Sequence, residues 1–160
     1  NQLQHCDLLE HIDGAMREHG LEPQDLVLEL SEQTLQHSER AGGRVAQLRE
    51  RGLRLTMDDF GTGDSSLGSL YRFPLDSLKI DRSLFSGGSP SGRAPELVRT
   101  IVSLARKLGT VVVAEGVETA EQLGFVREVG CSGAQGFYFS PPVDSDGLHL
   151  LFERAVGWAA

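Results

Sequence analysis

Leu53-Arg54-Leu55-Thr56-Met57-Asp58-Asp59-Phe60-Gly61-Thr62-Gly63 is a short apolar-rich run that ends in two adjacent acids and a glycine-rich turn. Its alternation over 53–57 reads as a strand, and the glycines mark where the chain turns away. The same theme recurs on both sides. Strand-like runs lie at 26–30 (LVLEL), 77–80 (SLKI), 111–114 (VVVA) and 133–139 (GAQGFYF). Between them come segments with apolar residues at helical spacing, each closed by glycine: 7–19 before Gly20, 39–51 before Gly52, 95–108 before Gly109, and 119–129 before Gly130. Thr119 with Gln122 has the spacing of a capping box at the start of the last of these. Alternating strands and helices predict an α/β fold with a mostly parallel sheet. The strand-to-strand spacing of roughly 25–30 residues would also suit a solenoid, but the segments share no consensus, so βα units of a barrel are the better account. Five strands are too few to close an eight-stranded barrel.

The 160 residues are enough for one domain, and 39% hydrophobic with 24% charged residues is an ordinary globular balance. A net charge of −8 argues against grip on a nucleic-acid polymer, which needs clustered Lys and Arg. A small anion remains compatible if metals neutralise it. Cys6 and Cys131 have neither CxxC spacing nor the density of a disulfide scaffold, and read as reduced thiols. No apolar run has transmembrane length, so this segment is expected to make no direct membrane contact. The chain opens on Asn1 rather than Met, as expected of a piece of something longer. Residues 87–92 (GGSPSG) read as a surface loop, and 145–160 as a final helix around Leu148, Leu151 and Phe152.

The acids carry the chemistry. Glu29 and Glu32 follow the first strand run, Asp58 and Asp59 the second, and Glu115 and Glu118 the run VVVA. In a parallel barrel those ends converge on the face where active sites lie. Clustered carboxylates repel one another, and a hard divalent cation is the usual remedy; oxygen ligands without Cys favour Mg²⁺ or Mn²⁺ over Zn²⁺. A single strand-end acid more often caps the next helix or pairs with an Arg. Two adjacent aspartates at one strand end gain little from such structural roles, and this pair points to metal. Lys79 fits two readings equally, an ion-pair partner in a barrel interior or a group that holds a water and steadies developing negative charge. Gly61-Thr62-Gly63 is weak as a phosphate loop alone.

The blocks LELSE (28–32), MDDFGTG-SSL (57–67), LDSLKID (75–81), AEGVET-EQ (114–122) and QGFYFSPP (135–142) resemble, in order, the signature segments of EAL domains. The likeness runs from the first residue to about residue 143, making 1–160 a partial EAL domain with a C-terminal helix. What the resemblance implies is a TIM-like (β/α)₈ barrel, here with about five strands and without its N-terminal ones. It also implies hydrolysis of cyclic di-GMP to linear pGpG with two Mg²⁺ or Mn²⁺ ions, in bacterial second-messenger signalling. Position by position, Glu29, Asp58, Asp59 and Glu115 resemble metal ligands. Lys79 resembles the lysine beside the attacking water, and Glu32 the glutamate that steadies the loop after the aspartate pair, so that Lys79, Glu115 and Glu32 form the catalytic group. Glu118, Gln135 and Gly136 resemble substrate-cleft residues. The family further implies a homodimer and a cytoplasmic setting, with any membrane anchor upstream.

The sequence departs from the family pattern in two ways. No Glu-Ala-Leu tripeptide occurs, and the asparagine ligand on the following strand has no counterpart, since Asn1 precedes a segment resembling what comes after it. Asp64 stands where the family usually has an aromatic residue. A chain without two ligands and the first strands is expected to be weakly stable, prone to oligomerise or exchange strands, and nearly inactive alone. A non-catalytic receptor for cyclic di-GMP is the competing reading; the full set of Glu29, Glu32, Asp58, Asp59, Lys79, Glu115 and Glu118 favours an enzyme.

Overall fold

A computed structural model of the chain describes residues 3, 7–37, 41–62, 67–85 and 93–155. Asp64, Cys6 and the 87–92 loop lie outside them. In chain order the elements are α1 (Leu8–His19), β1 (Val27–Ser31), α2 (Glu32–His37), α3 (Ala41–Glu50), β2 (Arg54–Phe60), α4 (Leu67–Arg72), β3 (Ser77–Ile80), α5 (Arg93–Lys107), β4 (Val111–Ala114), α6 (Ala120–Glu128), β5 (Gly133–Ala134) and α7 (Ser145–Ala155), with short 3₁₀ turns at Pro23–Asp25 and Arg82–Leu84. The five strands form one parallel sheet in the order β1-β2-β3-β4-β5. Consecutive order with every crossover returning to the next strand is the topology of a βα-barrel arc, as the strand count predicts.

Register sorts the strand residues into two faces. Leu55, Met57, Leu78, Ile80, Val112 and Ala114 point to the helix layer and are buried. Against them pack Val45 and Leu48 of α3, Val98, Ile101, Val102 and Ala105 of α5, and Val126 of α6. Val27, Glu29, Thr56, Ser77, Lys79, Val111 and Val113 share the opposite, inner face. Thr56 and Ser77 join across it, their hydroxyl oxygens 2.5 Å apart, whereas Val27 and Val111 remain nearly half exposed. A cavity of about 840 Å³ opens at the N-terminal ends of the strands, lined in part by Val27, Arg54, Ser77 and Val111. It lies at the other end of the sheet from the acids. Its Arg49 and Asp76 are paired at 2.5 Å, and Asp76 also accepts from the Leu55 amide, so these charges tie α3 to the sheet.

The capping box read from sequence is present: Thr119 Oγ1 accepts from Gln122 N at 3.2 Å, and Gln122 Oε1 accepts from Thr119 N at 3.1 Å. The run 133–139 departs from expectation, because only Gly133–Ala134 is a strand. After it, Tyr138 N donates to Val117 O and Phe139 N to Gly136 O, so the chain curls over the end of β4 instead of extending.

Candidate metal and active site

The site grows from an irregularity in β2. Met57 pairs with Leu78 and Phe60 with Ile80, so Asp58 and Asp59 together oppose the single residue Lys79. This is a β-bulge, and Asp59 occupies the left-handed region with φ 57°. In a regular strand two neighbours point to opposite faces. The bulge lets both aspartates serve one side, and carboxylate oxygens of Asp58, Asp59 and Glu115 all come within 4.8 Å of one another. Asp is among the few residues that tolerate this backbone, at a cost of about 1 kcal/mol.

Lys79 rises from β3 into this group with a side chain only 13% exposed. Its Nζ lies 2.5 Å from Glu29 Oε1, 3.0 Å from Glu115 Oε1 and 3.6 Å from Asp58 Oδ1. Burial pulls the Lys79 ammonium down, but its hydrogen bonds to Glu29 and Glu115 and the charges of Glu115 and Asp58 outweigh that and hold it above its ordinary 10.5. Burial raises the Glu115 carboxyl, as does the Asp58 charge, with Lys79 opposing. Asp59 is likewise raised by burial and then by the charges of Asp58 and Asp81. One lysine does not neutralise these acids.

Asp58 Oδ1 is the clearest sign of what else belongs there. It is buried and receives no hydrogen bond, with the Lys79 ammonium 3.6 Å away. A buried carboxylate oxygen without a hydrogen bond is costly, and a cation among Asp58, Asp59 and Glu115 would satisfy it. Three carboxylates, one with a buried oxygen that receives no hydrogen bond, therefore fit a hard divalent ion.

The remaining predicted residues take varied places. Glu29 stands beside the three-acid cluster and is joined to it through Lys79. Gln135 donates from Nε2 to Glu115 Oε1, bringing the end of β5 to the site. Gly136 has φ 152°, and a Cβ there would lie 2.3 Å from Val117 N, so only glycine allows this close backbone approach. Glu118 turns to Arg82, whose Nη1 donates to its Oε1. Glu32 is outside the cluster: it is 5% exposed at the start of α2, and its Oε1 accepts from Gln36 Nε2 at 2.8 Å. The same Nε2 reaches Ser69 Oγ on α4, at 3.5 Å. Sequence reading missed Arg82, although the spacing of Lys79 and Arg82 around Asp81 in KIDR placed it just past the strand end.

A family model of the EAL domain matches residues 1–142. The cyclic di-GMP phosphodiesterase NbdA of Pseudomonas aeruginosa is 42% identical over 144 residues, which is 89% of this chain and 18% of NbdA. The chain thus spans about a fifth of the length of the first curated relatives it matches. Among solved structures, the PaMucR phosphodiesterase in complex with c-di-GMP superposes with a TM-score of 0.85 at 37% identity, over 92% of this chain and 60% of that one. The manganese and cyclic di-GMP complex of Klebsiella pneumoniae BlrP1 gives a TM-score of 0.80 at 34% identity, over 88% and 36% respectively. The five parallel strands, the acids at their C-terminal ends and the match across most of its length make this chain a member of the EAL domain family.

Proposed function

We propose that the chain carries most of the metal and catalytic residues of a phosphodiesterase that opens cyclic di-GMP to linear pGpG. The observation that supports this best is the bulge that gathers Asp58 and Asp59 with Glu115 around Lys79 while leaving Asp58 Oδ1 without a hydrogen bond. Asp58, Asp59, Glu115 and Glu29 would hold Mg²⁺ or Mn²⁺, two ions in all. When bound, the metals lower the pKa of a water and neutralise charge on the phosphate.

The chain's own residues do the rest. Glu115 and Lys79 fix each other, so the Lys79 ammonium is held at the cluster as a donor aimed at the attacked phosphate or its water. Its raised pKa keeps it charged throughout the working range, which suits electrostatic stabilisation and not proton abstraction. Gln135 restrains Glu115 from the β5 side. Glu32, through Gln36 and Ser69, ties α2 to the helix that follows the aspartate turn, which suits a role in steadying that turn. Glu118, Gln135 and Gly136, which follow β4 and β5, would contact the substrate. The full reading carries a homodimer and a cytoplasmic setting with it; no helix of the described residues is long and apolar enough to cross a membrane. It also holds that residues 1–160 alone turn over poorly, because Val27 and Val111 leave the inner face of the sheet uncovered.

The test is hydrolysis of cyclic di-GMP in Mn²⁺ buffer by the intact protein and by residues 1–160, with product identified by mass. Conversion to pGpG by the intact protein, abolished by chelation, is expected. Tight binding without turnover would replace this reading with a receptor.

A further inference from the structure

We infer that Arg82, which lies outside the carboxylate cluster, is a positioning residue for Glu115. It holds the turn leaving β4 in the backbone path that aims Glu115 at Lys79 and Asp58. The inference rests on the metal-site reading above.

β3 delivers Lys79, and Asp81 then starts the 3₁₀ turn Arg82–Leu84, its Oδ1 accepting from Ser83 N at 2.8 Å. That turn sets Arg82 beside the exit of β4. Its stem lies directly over Gly116: a Cβ on Gly116 would be 2.9 Å from Arg82 Cδ and 3.0 Å from Arg82 Cβ. Gly116 has φ 69°, which a side chain would resist even with space available. Beyond it, the guanidinium donates to Glu118. One side chain therefore grips the first and third residues after Glu115.

The same segment is also held by hydrogen bonds of its backbone amides. Glu115 N donates to Ile80 O at 2.9 Å, Val117 N to Gln135 O at 3.0 Å, and Glu118 N to Gln122 Oε1 at 2.7 Å. Those bonds fix the two ends and the middle of the turn, but none of them is made by Gly116, where the backbone has the freedom of glycine. The Arg82 stem closes that freedom. An ion pair whose side chains are 55% and 44% exposed contributes little to global stability. What it can do is local, because a small rotation at Gly116 would swing the Glu115 carboxylate away from its partners. Groups that orient metal ligands in this way tune affinity more than folding.

The test uses the intact protein with Arg82→Ala, Arg82→Lys, Glu118→Gln and the double variant R82A/E118Q. Arg106→Ala is the structural control, since Arg106 donates to Gly130 O at the far end of α6. Two quantities are read without substrate: the Mn²⁺ titration midpoint by electron paramagnetic resonance of the free ion, and the metal-free melting temperature. The expected result is a midpoint raised about tenfold by Arg82→Ala, with the melting temperature nearly unchanged. Lysine at 82 should restore most of the affinity by keeping stem and charge. Glu118→Gln should shift the midpoint in the same direction, and the double variant should shift it less than the product of the single changes. An unchanged midpoint in Arg82→Ala, with wild type binding Mn²⁺, overturns the inference and leaves the phosphodiesterase reading intact. An equal shift in Arg106→Ala, accompanied by a lowered melting temperature in both, overturns it as a general stability effect. Absence of Mn²⁺ binding by wild type overturns the metal-site reading and this inference together.

Discussion

Lys79 has two jobs that separate experimentally. It is the cation that holds Glu29 and Glu115 together in the metal-free protein and the group placed to steady charge on a phosphate. Lys79→Met keeps the stem and removes the charge. Turnover should fall by about 10²–10³-fold, the range for losing one preorganised donor. Metal-free stability should fall by about 2 kcal/mol, less than a fully buried pair would lose because Glu29 is half exposed. Saturating Mn²⁺ should recover part of that deficit, as measured by chemical denaturation with and without metal; equal deficits in both would mean that lysine and metal do not share the acids. Cys131 makes a second prediction at this scale. Burial pushes its thiol up to about 11 from an ordinary 9.0, against the pull of Arg106. A raised folded-state pKa means that the stability tied to the neutral thiol is complete below the unfolded value and is lost as pH rises toward 11. Denaturation between pH 8 and 11 should show this loss in wild type and less of it in Cys131→Ser. Alkylation of the thiol should be slow at pH 8.

At the scale of elements, much of the fold was legible in the sequence and the decisive detail of the site was not. The run 77–80 matches β3 because its polar and apolar residues alternate, and 111–114 matches β4 because it is continuously apolar. The Thr119 and Gln122 pair marked the start of α6 because a capping box is a local arrangement. α2 and α4, six residues each, were missed because a turn and a half carries too little periodicity. The run after Ala134 looked like a strand from its aromatics, but hydrogen bonds to Val117 and Gly136 override that preference. β2 is the instructive case. Its apolar alternation ended the predicted strand at Met57, whereas the strand continues to Phe60 through a bulge. Period-two reasoning would have sent Asp58 and Asp59 to opposite faces, and only the pairing with β3 reveals otherwise. That bulge is testable through its backbone. Asp59→Ala keeps a Cβ at φ 57°, while Asp59→Gly removes it, and both delete the ligand. The glycine variant should therefore be more stable than the alanine variant by about 1 kcal/mol, with both equally impaired in Mn²⁺ binding. Equal stabilities would mean that the chain relaxes out of the left-handed conformation once the carboxylate is gone.

For the whole molecule, the balance between the two sheet faces decides behaviour in solution. The helix-facing side is complete, with Leu55, Met57, Leu78, Ile80 and Ala114 at no measurable exposure. The inner side leaves Val27 46% and Val111 47% exposed, and β1 and β5 are the edges of the sheet among the described residues. Open strand edges next to exposed valines are features that promote pairing with another chain. Residues 1–160 studied alone should therefore self-associate as concentration rises, and their thermal transition should be broad. Sedimentation velocity over a hundredfold range of concentration reads the first effect, and calorimetry the second. Replacing Val27 and Val111 by Thr, which keeps strand preference while lowering apolar area, should weaken association if the inner face drives it. If the variant associates as strongly as the parent, the edges of β1 and β5 are responsible instead. A monomer that melts sharply at all concentrations would show that this five-stranded sheet is self-sufficient, and the expectation of self-association would then lose its physical basis.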